Sequence, residues 1–200
     1  MNIIKNVLTF VSLYFLLFVP AYAVTNTQSD VLSFTVPSFT RIASVTSPVL
    51  TANITNRTGN LYTPMSTRFR VITNSANDKT LYLKAKVVTS DGYEDAMFEQ
   101  GGQVYIAFTN LVKKPTTYSL MNCKMGGVPK DSPGVVAYPV TSITGPKNMK
   151  FMYNKYEVTV GSGTTDVTVN VGSNVLRSSF AANDPKGFYQ AVLSLTEADI

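Results

Sequence analysis

The sequence contains no histidine among its 200 residues. This absence excludes Ser-His-Asp and Cys-His catalysis, and it removes a side chain on which the usual catalytic zinc sites depend. Two carboxylates suffice for glycoside hydrolysis, so an acidic mechanism stays open at this point. The sequence also lacks tryptophan, and its tyrosines are widely spread along the chain, so this pattern gives a glycan site no support.

The acidic residues cluster once, in the stretch SDGYEDAMFEQGG from Ser90 to Gly102. Their spacing does not match the calcium loop of an EF-hand. A solvated turn between two strands accounts for this stretch, and no recognisable motif places a pair of acids. We therefore expect no enzyme, no metal site and no cofactor. A secreted hydrolase that uses Glu94 and Glu99 is the least favoured alternative.

Cys123 is the single cysteine, which excludes an intrachain disulfide even in an oxidising compartment. The segment MNCKMGG around it favours a buried free thiol, and a disulfide to another chain is the alternative. Stability must then come from the hydrophobic core, from a partner chain or from both.

Basic residues exceed acidic residues only modestly, 17 to 12. Several of the cations alternate with apolar residues: Arg68, Arg70, Lys84 and Lys86. Such alternation is typical of the solvated face of a sheet and does not form the patch that nucleic-acid binding requires. We therefore expect no nucleic-acid partner.

Residues 1–23 have the features of a secretory signal peptide. Lys5 precedes an apolar run that extends to Val19, and Ala21-Tyr22-Ala23 forms a small-x-small cleavage site. The run is short for a membrane span of about 20 residues. We expect cleavage after this site and secretion of one mature domain.

The mature sequence alternates apolar and polar residues with a period of two, and no segment is convincingly helical. The strand-like apolar sets are Phe69/Val71, Leu81/Leu83/Ala85/Val87, Val104/Ile106/Phe108, Tyr156/Val158/Val160 and Val167/Val169/Val171. Many short strands with turn signals between them predict an all-β fold, an immunoglobulin-like β-sandwich. The last two sets flank Gly161-Ser162-Gly163, so we interpret them as a hairpin. The Gly- and Pro-rich region from Pro115 to Lys147 predicts long loops with one or two short strands.

Both ends of the mature chain are also strand-like. Leu32, Phe34 and Val36 alternate with Val31, Ser33 and Thr35 until Pro37 interrupts the strand pattern. We therefore predict an N-terminal extension over residues 24–37 and a single domain over residues 38–200. Two further runs follow, Phe39–Val45 and Val49–Ile54. The C-terminal strand starts at a glycine and then alternates apolar residues: Gly187, Tyr189, Ala191, Leu193 and Leu195.

A sandwich that is one strand short exposes its core and an unpaired edge unless another chain supplies the strand. Head-to-tail donation of an N-terminal strand does not close, and it builds a filament. In the alternative, both terminal strands pair within one chain, and the protein is a monomeric secreted adhesin or glycan-binding module.

Two stretches carry a resemblance to a known family. The ending GFYQAVLSL resembles the C-terminal strand of chaperone–usher fimbrial (pilin) subunits, and TRFRVITNSANDKTLYLKAKV is similar to the middle of the disulfide-free pilins in the colonisation-factor branch. The resemblance implies an incomplete sandwich, with Leu32, Phe34 and Val36 in the donor strand and the terminal strand at an edge of the acceptor groove. It also implies a fimbrium on a Gram-negative cell surface, homopolymerisation with other copies of the chain, and a periplasmic chaperone and an outer-membrane usher as partners.

Overall fold

The structure is a computed structural model that describes residues 35–54, 64–124, 133–172 and 185–198. The chain divides into two units, Met1–Val36 and Pro37–Ile200, and every strand described below belongs to the second. The predicted signal peptide lies outside the described residues.

Twelve strands and one short helix make up the described part of the chain. The strands are β1 (Thr40–Ser44), β2 (Val49–Ile54), β3 (Met65–Thr73), β4 (Lys79–Thr89), β5 (Gly92–Asp95), β6 (Met97–Gln100), β7 (Gln103–Asn110), β8 (Val135–Thr144), β9 (Asn148–Met152), β10 (Lys155–Val160), β11 (Gly163–Val171) and β12 (Gly187–Thr196), and the helix is α1 (Thr117–Lys124).

All strand pairs are antiparallel, and they form two groups. In the first, β1 pairs with β3, β3 with β11, and β11 with the second half of β8. In the second, β9 pairs with β10, β10 with β4, and β4 with β12, while β2 lies beside β12 and β5 beside β4. β7 joins this group by pairing with β12 at Tyr189 and Gln190, and it also pairs with β6 and with the first half of β8. One hydrophobic cluster collects the inward side chains of both groups, which confirms the predicted all-β sandwich.

Alternation along the strands matches the observed burial. On β4, Leu81 and Leu83 are fully buried, and Lys86 on the opposite face is exposed. The other predicted apolar sets are also buried, except that Tyr156 is half-buried. The period-two pattern therefore identified the inward face of these strands correctly, because a strand directs successive side chains to opposite faces.

The predicted hairpin around Gly161-Ser162-Gly163 is wrong. β10 pairs with β4 and β9, whereas β11 pairs with β3 and β8, so this turn carries the chain from one group of strands to the other. A glycine-rich turn between two alternating strands is compatible with a hairpin and also with a connection between two sheets. The sequence pattern is therefore the same for both, and only the long-range pairing separates them.

The loop prediction for Pro115–Lys147 is also wrong in its main point. The region contains α1 and the ten-residue strand β8, whose first six residues, Val135–Val140, are all buried. β8 pairs with β7 up to Pro139 and with β11 from Val140, with a register shift opposite Asn170 and Val171. A strand that is covered on both faces does not alternate, and a proline inside it points away from a strand assignment.

Candidate strand-donation site

The terminal strand β12 contributes one complete face to the core. Tyr189 and Ala191 are fully buried, Leu193 is 1% exposed and Leu195 is 6% exposed. Phe188, on the opposite face, is 53% exposed. The apolar residues that the sequence placed on one side of this strand therefore do share its buried face.

The neighbours of β12 change along its length. On one side it pairs with β2 over Gly187–Val192, and on the other side it pairs with β7 at Tyr189 and Gln190 and then with β4 over Val192–Thr196. The pairing with β2 ends in a hydrogen bond that Leu193 N donates to Pro48 O at 2.9 Å. Among the described residues, the last positions of β12 therefore have a strand on one side only.

Strand β2 is an edge strand, because within the described part of the chain it pairs with β12 alone. Leu50 and Ala52 are buried, whereas Val49 and Thr51 are exposed. The Leu193–Pro48 bond continues the register of β2, and ladder bonds alternate along an antiparallel pair. The backbone groups of Leu50 and Ala52 therefore face β12, and those of Thr51 face the free side.

Gly187 begins β12 in a conformation that favours glycine. Its φ is 137°, and a Cβ atom there would lie 3.3 Å from Nδ2 of the buried Asn110. The next residue, Phe188, accepts a hydrogen bond at its carbonyl from Leu111 N at 3.0 Å, and Tyr189 donates its hydroxyl to Pro185 O at 2.7 Å. The start of the strand is therefore held by contacts with Asn110 and Leu111 at the end of β7 and with Pro185 before it.

The sequence analysis missed two side-chain hydrogen bonds of Asn74 at the start of the sandwich, which we call the Asn74 clamp. Asn74, just after β3, accepts a hydrogen bond from Phe39 N at Oδ1 (2.7 Å) and donates one from Nδ2 to Pro37 O (3.0 Å). Thr73 adds a hydroxyl bond to Phe39 O at 3.0 Å. Asn74 begins the polar cluster Asn74-Ser75-Ala76-Asn77-Asp78, whose composition indicates a turn but not a partner 35 residues away.

Two of the three predicted donor residues, Leu32 and Phe34, lie outside the described residues. Val36 is described and is 61% exposed. Their assignment as donors therefore stays a prediction, as does the role of β12 as an acceptor. Cys123 lies on α1, and its side chain is outside the described part of the chain.

The acidic stretch Ser90–Gly102 forms the turn after β4 and the strands β5 and β6. Asp91 accepts hydrogen bonds from the hydroxyls of Thr117 (2.7 Å) and Ser90 (3.0 Å), and these bonds hold the pKa of its carboxyl below the ordinary value. Asp95 instead accepts a bond from Asn154 Nδ2 at 2.6 Å. The described residues contain no group of three potential metal ligands.

The basic residues of β3 lie on the exposed face, as their alternation predicted. Arg70 donates two bonds to the carboxylate of Asp166, its neighbour on β11, at 2.8 and 2.9 Å. These bonds hold the pKa of Asp166 below its ordinary value and raise that of Arg70. The pair is solvent-exposed, so it contributes little to the stability of the fold.

No family model matches the chain, and no curated protein and no solved structure matches it significantly. Within the described residues, no helix is long and apolar enough to cross a membrane.

Proposed function

We propose that this chain is a secreted, non-enzymatic structural subunit of pilin type, which polymerises into a cell-surface filament by donor-strand exchange. In this proposal the partner is another copy of the chain, whose residues Leu32, Phe34 and Val36 are donated to β12. A periplasmic chaperone and an outer-membrane usher belong to the same proposal, as does a location on the surface of a Gram-negative bacterium.

The observation that carries the proposal is the uneven covering of β12. The strand buries four alternating side chains over its length, but β2 lies beside it only as far as Val192. An edge with free backbone groups and an apolar face is a template for an added strand. The donated strand therefore lies beside β12, with β2 displaced from it, and extends over the positions beyond Val192 that β2 leaves uncovered.

The Asn74 clamp supports the same proposal from the donor side. It ties Pro37 and Phe39 to the end of β3, so the segment that precedes Pro37 starts from a fixed point of the domain. An extension whose C-terminal end is held in place loses less conformational entropy on docking than one whose end moves freely.

Burial of the three donor side chains sets the strength of the contact. Each contributes about 1.5–3 kcal/mol before the cost of ordering the extension is subtracted. We also expect a carboxylate at a central donor position to prevent assembly, because burying an unpaired charge costs more free energy than the remaining apolar contacts supply.

The test compares Phe34→Asp with Thr35→Asp, its neighbour on the other face of the donor strand. Filaments are counted by electron microscopy in sheared cell-surface material and in purified mature protein. We expect Phe34→Asp and a deletion of residues 24–36 to give folded subunits without filaments, and Thr35→Asp to assemble. Filaments from the deletion variant would refute donation by these residues.

A second variant locates the acceptor. Thr51→Pro removes an N–H group from the free side of β2 and leaves the β2–β12 ladder intact. If the donor replaces β2 beside β12, Thr51→Pro filaments form normally. If Thr51→Pro is folded but does not assemble, the donor adds to the outer edge of β2, and the assignment of β12 is wrong.

A further inference from the structure

The loop between β7 and α1 exposes two adjacent apolar side chains. Val112 is 94% exposed, the largest value among the large apolar residues of the described chain, and Leu111 is 38% exposed. Single exposed apolar residues are common on protein surfaces, whereas a contiguous group of them marks a contact with another molecule.

Phe188, on β12, belongs to the same group. The pairing of β12 with β7 sets Gln190 opposite Thr109 and Tyr189 opposite Asn110. Leu111 N then donates to Phe188 O at 3.0 Å, which continues this register by one position. Residues that lie opposite each other in an antiparallel pair point to the same face. The exposed side chains of Leu111 and Phe188 are therefore neighbours.

Asn110 fixes the conformation of the loop. Its buried side chain accepts hydrogen bonds at Oδ1 from Val112 N at 2.9 Å and from Lys113 N at 2.8 Å. Its backbone N donates to Gly134 O at 2.8 Å. Gly134 has a φ of 85°, and a Cβ atom there would overlap with Lys113 O, so only glycine allows this close approach. The fold therefore holds Val112 in solvent through specific contacts.

Three exposed lysines flank the apolar group: Lys113, Lys114 and Lys186. The first two follow Val112 directly, and Lys186 precedes Gly187 at the start of β12. One carboxylate is attached to the other end of the loop, since Asp91 accepts a hydrogen bond from Thr117 Oγ1 at 2.7 Å. Three cations against one anion leave an excess of positive charge. We call Leu111, Val112, Lys113, Lys114, Lys186 and Phe188 the lysine-rimmed patch.

We propose that the lysine-rimmed patch binds an anionic lipid surface. Apolar side chains beside lysines are the combination that attaches proteins to the interface of an anionic membrane. Val112 enters the boundary between headgroups and acyl chains, and the lysine ammonium groups stay with the lipid phosphates. A second copy of the chain is a poorer occupant, because its formal net charge of +5 offers no excess of negative charge.

This inference does not depend on polymerisation, because all six residues belong to one chain. The contact between Leu111 and Phe188 lies on the side of β12 opposite to β2. A donated strand in the place of β2 therefore leaves that contact intact.

The first test is flotation of the mature protein with lipid vesicles, which separates vesicle-bound protein from free protein and from filaments. We expect binding to vesicles of equal parts phosphatidylcholine and phosphatidylglycerol, no binding to phosphatidylcholine alone, and weaker binding as salt is added. One lysine near an anionic surface is worth about a five-fold change in affinity, so Lys113→Gln combined with Lys114→Gln should weaken binding about 25-fold. Val112→Ser should weaken it about ten-fold.

Two variants on β9 serve as matched controls. Lys150→Gln removes an exposed lysine, and Met149→Ser removes an apolar side chain that is 52% exposed. We expect both to bind the mixed vesicles as the unmodified chain does, because neither residue belongs to the patch.

The second test measures insertion at Val112 itself. The chain contains no tryptophan, so Val112→Trp introduces a single fluorescent reporter. We expect its emission to shift to shorter wavelength on mixed vesicles and to be quenched by brominated acyl chains. Met149→Trp, the matched reporter on β9, should show neither change.

Three outcomes would overturn the proposal. The first is that the protein does not float with the mixed vesicles. The second is that Lys150→Gln weakens binding as much as the change of Lys113 and Lys114, which would make the attraction a general effect of net charge. The third is that the lysine changes weaken binding while Val112→Ser does not and Val112→Trp is not quenched, which would make the patch a contact for an acidic polymer or protein.

Discussion

The Asn74 clamp can be tested by removing its side chain. Asn74→Ala eliminates the bond from Phe39 N to Oδ1 and the bond from Nδ2 to Pro37 O, and it leaves the backbone contact of Asn74 N with Phe39 O at 3.4 Å. A hydrogen bond contributes about 0.5–1.5 kcal/mol net. Both bonds are exposed to solvent, so the lower half of that range applies, and the pair contributes about 1–2 kcal/mol.

This loss should fall mainly on the segment Pro37–Thr40. A local cost of about 1–2 kcal/mol corresponds to about a 5- to 30-fold drop in hydrogen-exchange protection at the Phe39 amide. Amide exchange followed by NMR measures this directly. Amides at the centre of β4, such as that of Leu83, should change less. Asn148→Ala, at an exposed asparagine on β9, serves as the control.

Asn74→Asp divides the clamp into its two bonds. An ionised aspartate still accepts from Phe39 N, but it cannot donate to Pro37 O. We expect it to retain about half of the protection that Asn74→Ala loses, and to regain more when the carboxyl is protonated. If the Phe39 amide exchanges equally fast in wild-type protein and in Asn74→Ala, the two bonds do not hold the chain in solution.

Two further predictions concern the core and its pH dependence. Leu193→Ala should lower the free energy of unfolding by about 2–5 kcal/mol in urea denaturation, because this side chain is 1% exposed. Ser194→Ala, on the other face of β12, should change that free energy by less than about 0.5 kcal/mol. Equal effects of the two substitutions would contradict the burial of β12. Burial, together with the Glu99 carboxylate, raises the pKa of Tyr156 above 10.0 in the folded chain. Stability should therefore fall as the pH rises from 10.0 towards the raised folded value, and Tyr156→Phe should reduce that fall; identical alkaline slopes for the two proteins would show that Tyr156 does not contribute.

The strands that were predicted correctly share one property, which is that a single face is buried. Leu81 and Leu83 on β4, and Val167 on β11, alternate with exposed or half-buried residues, so the pattern identified their inward face directly. β8 violates this condition, because it passes between the two groups of strands and is covered on both sides. Its apolar run and Pro139 were therefore interpreted as loop.

The components of the candidate sites were visible in the sequence, but their association was not. Gly187 and the alternating residues after it marked the terminal strand, and their burial agrees with that pattern. Asn74 had no signal beyond its place in a turn cluster, because its partners are backbone atoms. Asp95 and Asn154 are 59 positions apart, and nothing in the sequence indicated that their side chains form a hydrogen bond.

The sequence by itself determined that the chain forms an all-β sandwich and which face of most strands points inward. The physical reason is local: side chains alternate across a strand, and burial selects the apolar face. Only the tertiary structure decided which strands are neighbours. Backbone hydrogen bonds are much the same for any two strands. Alternation alone could therefore not place β12 between β2 on one side and β7 and β4 on the other, send β10 and β11 into different groups of strands, or bring Asn154 beside Asp95.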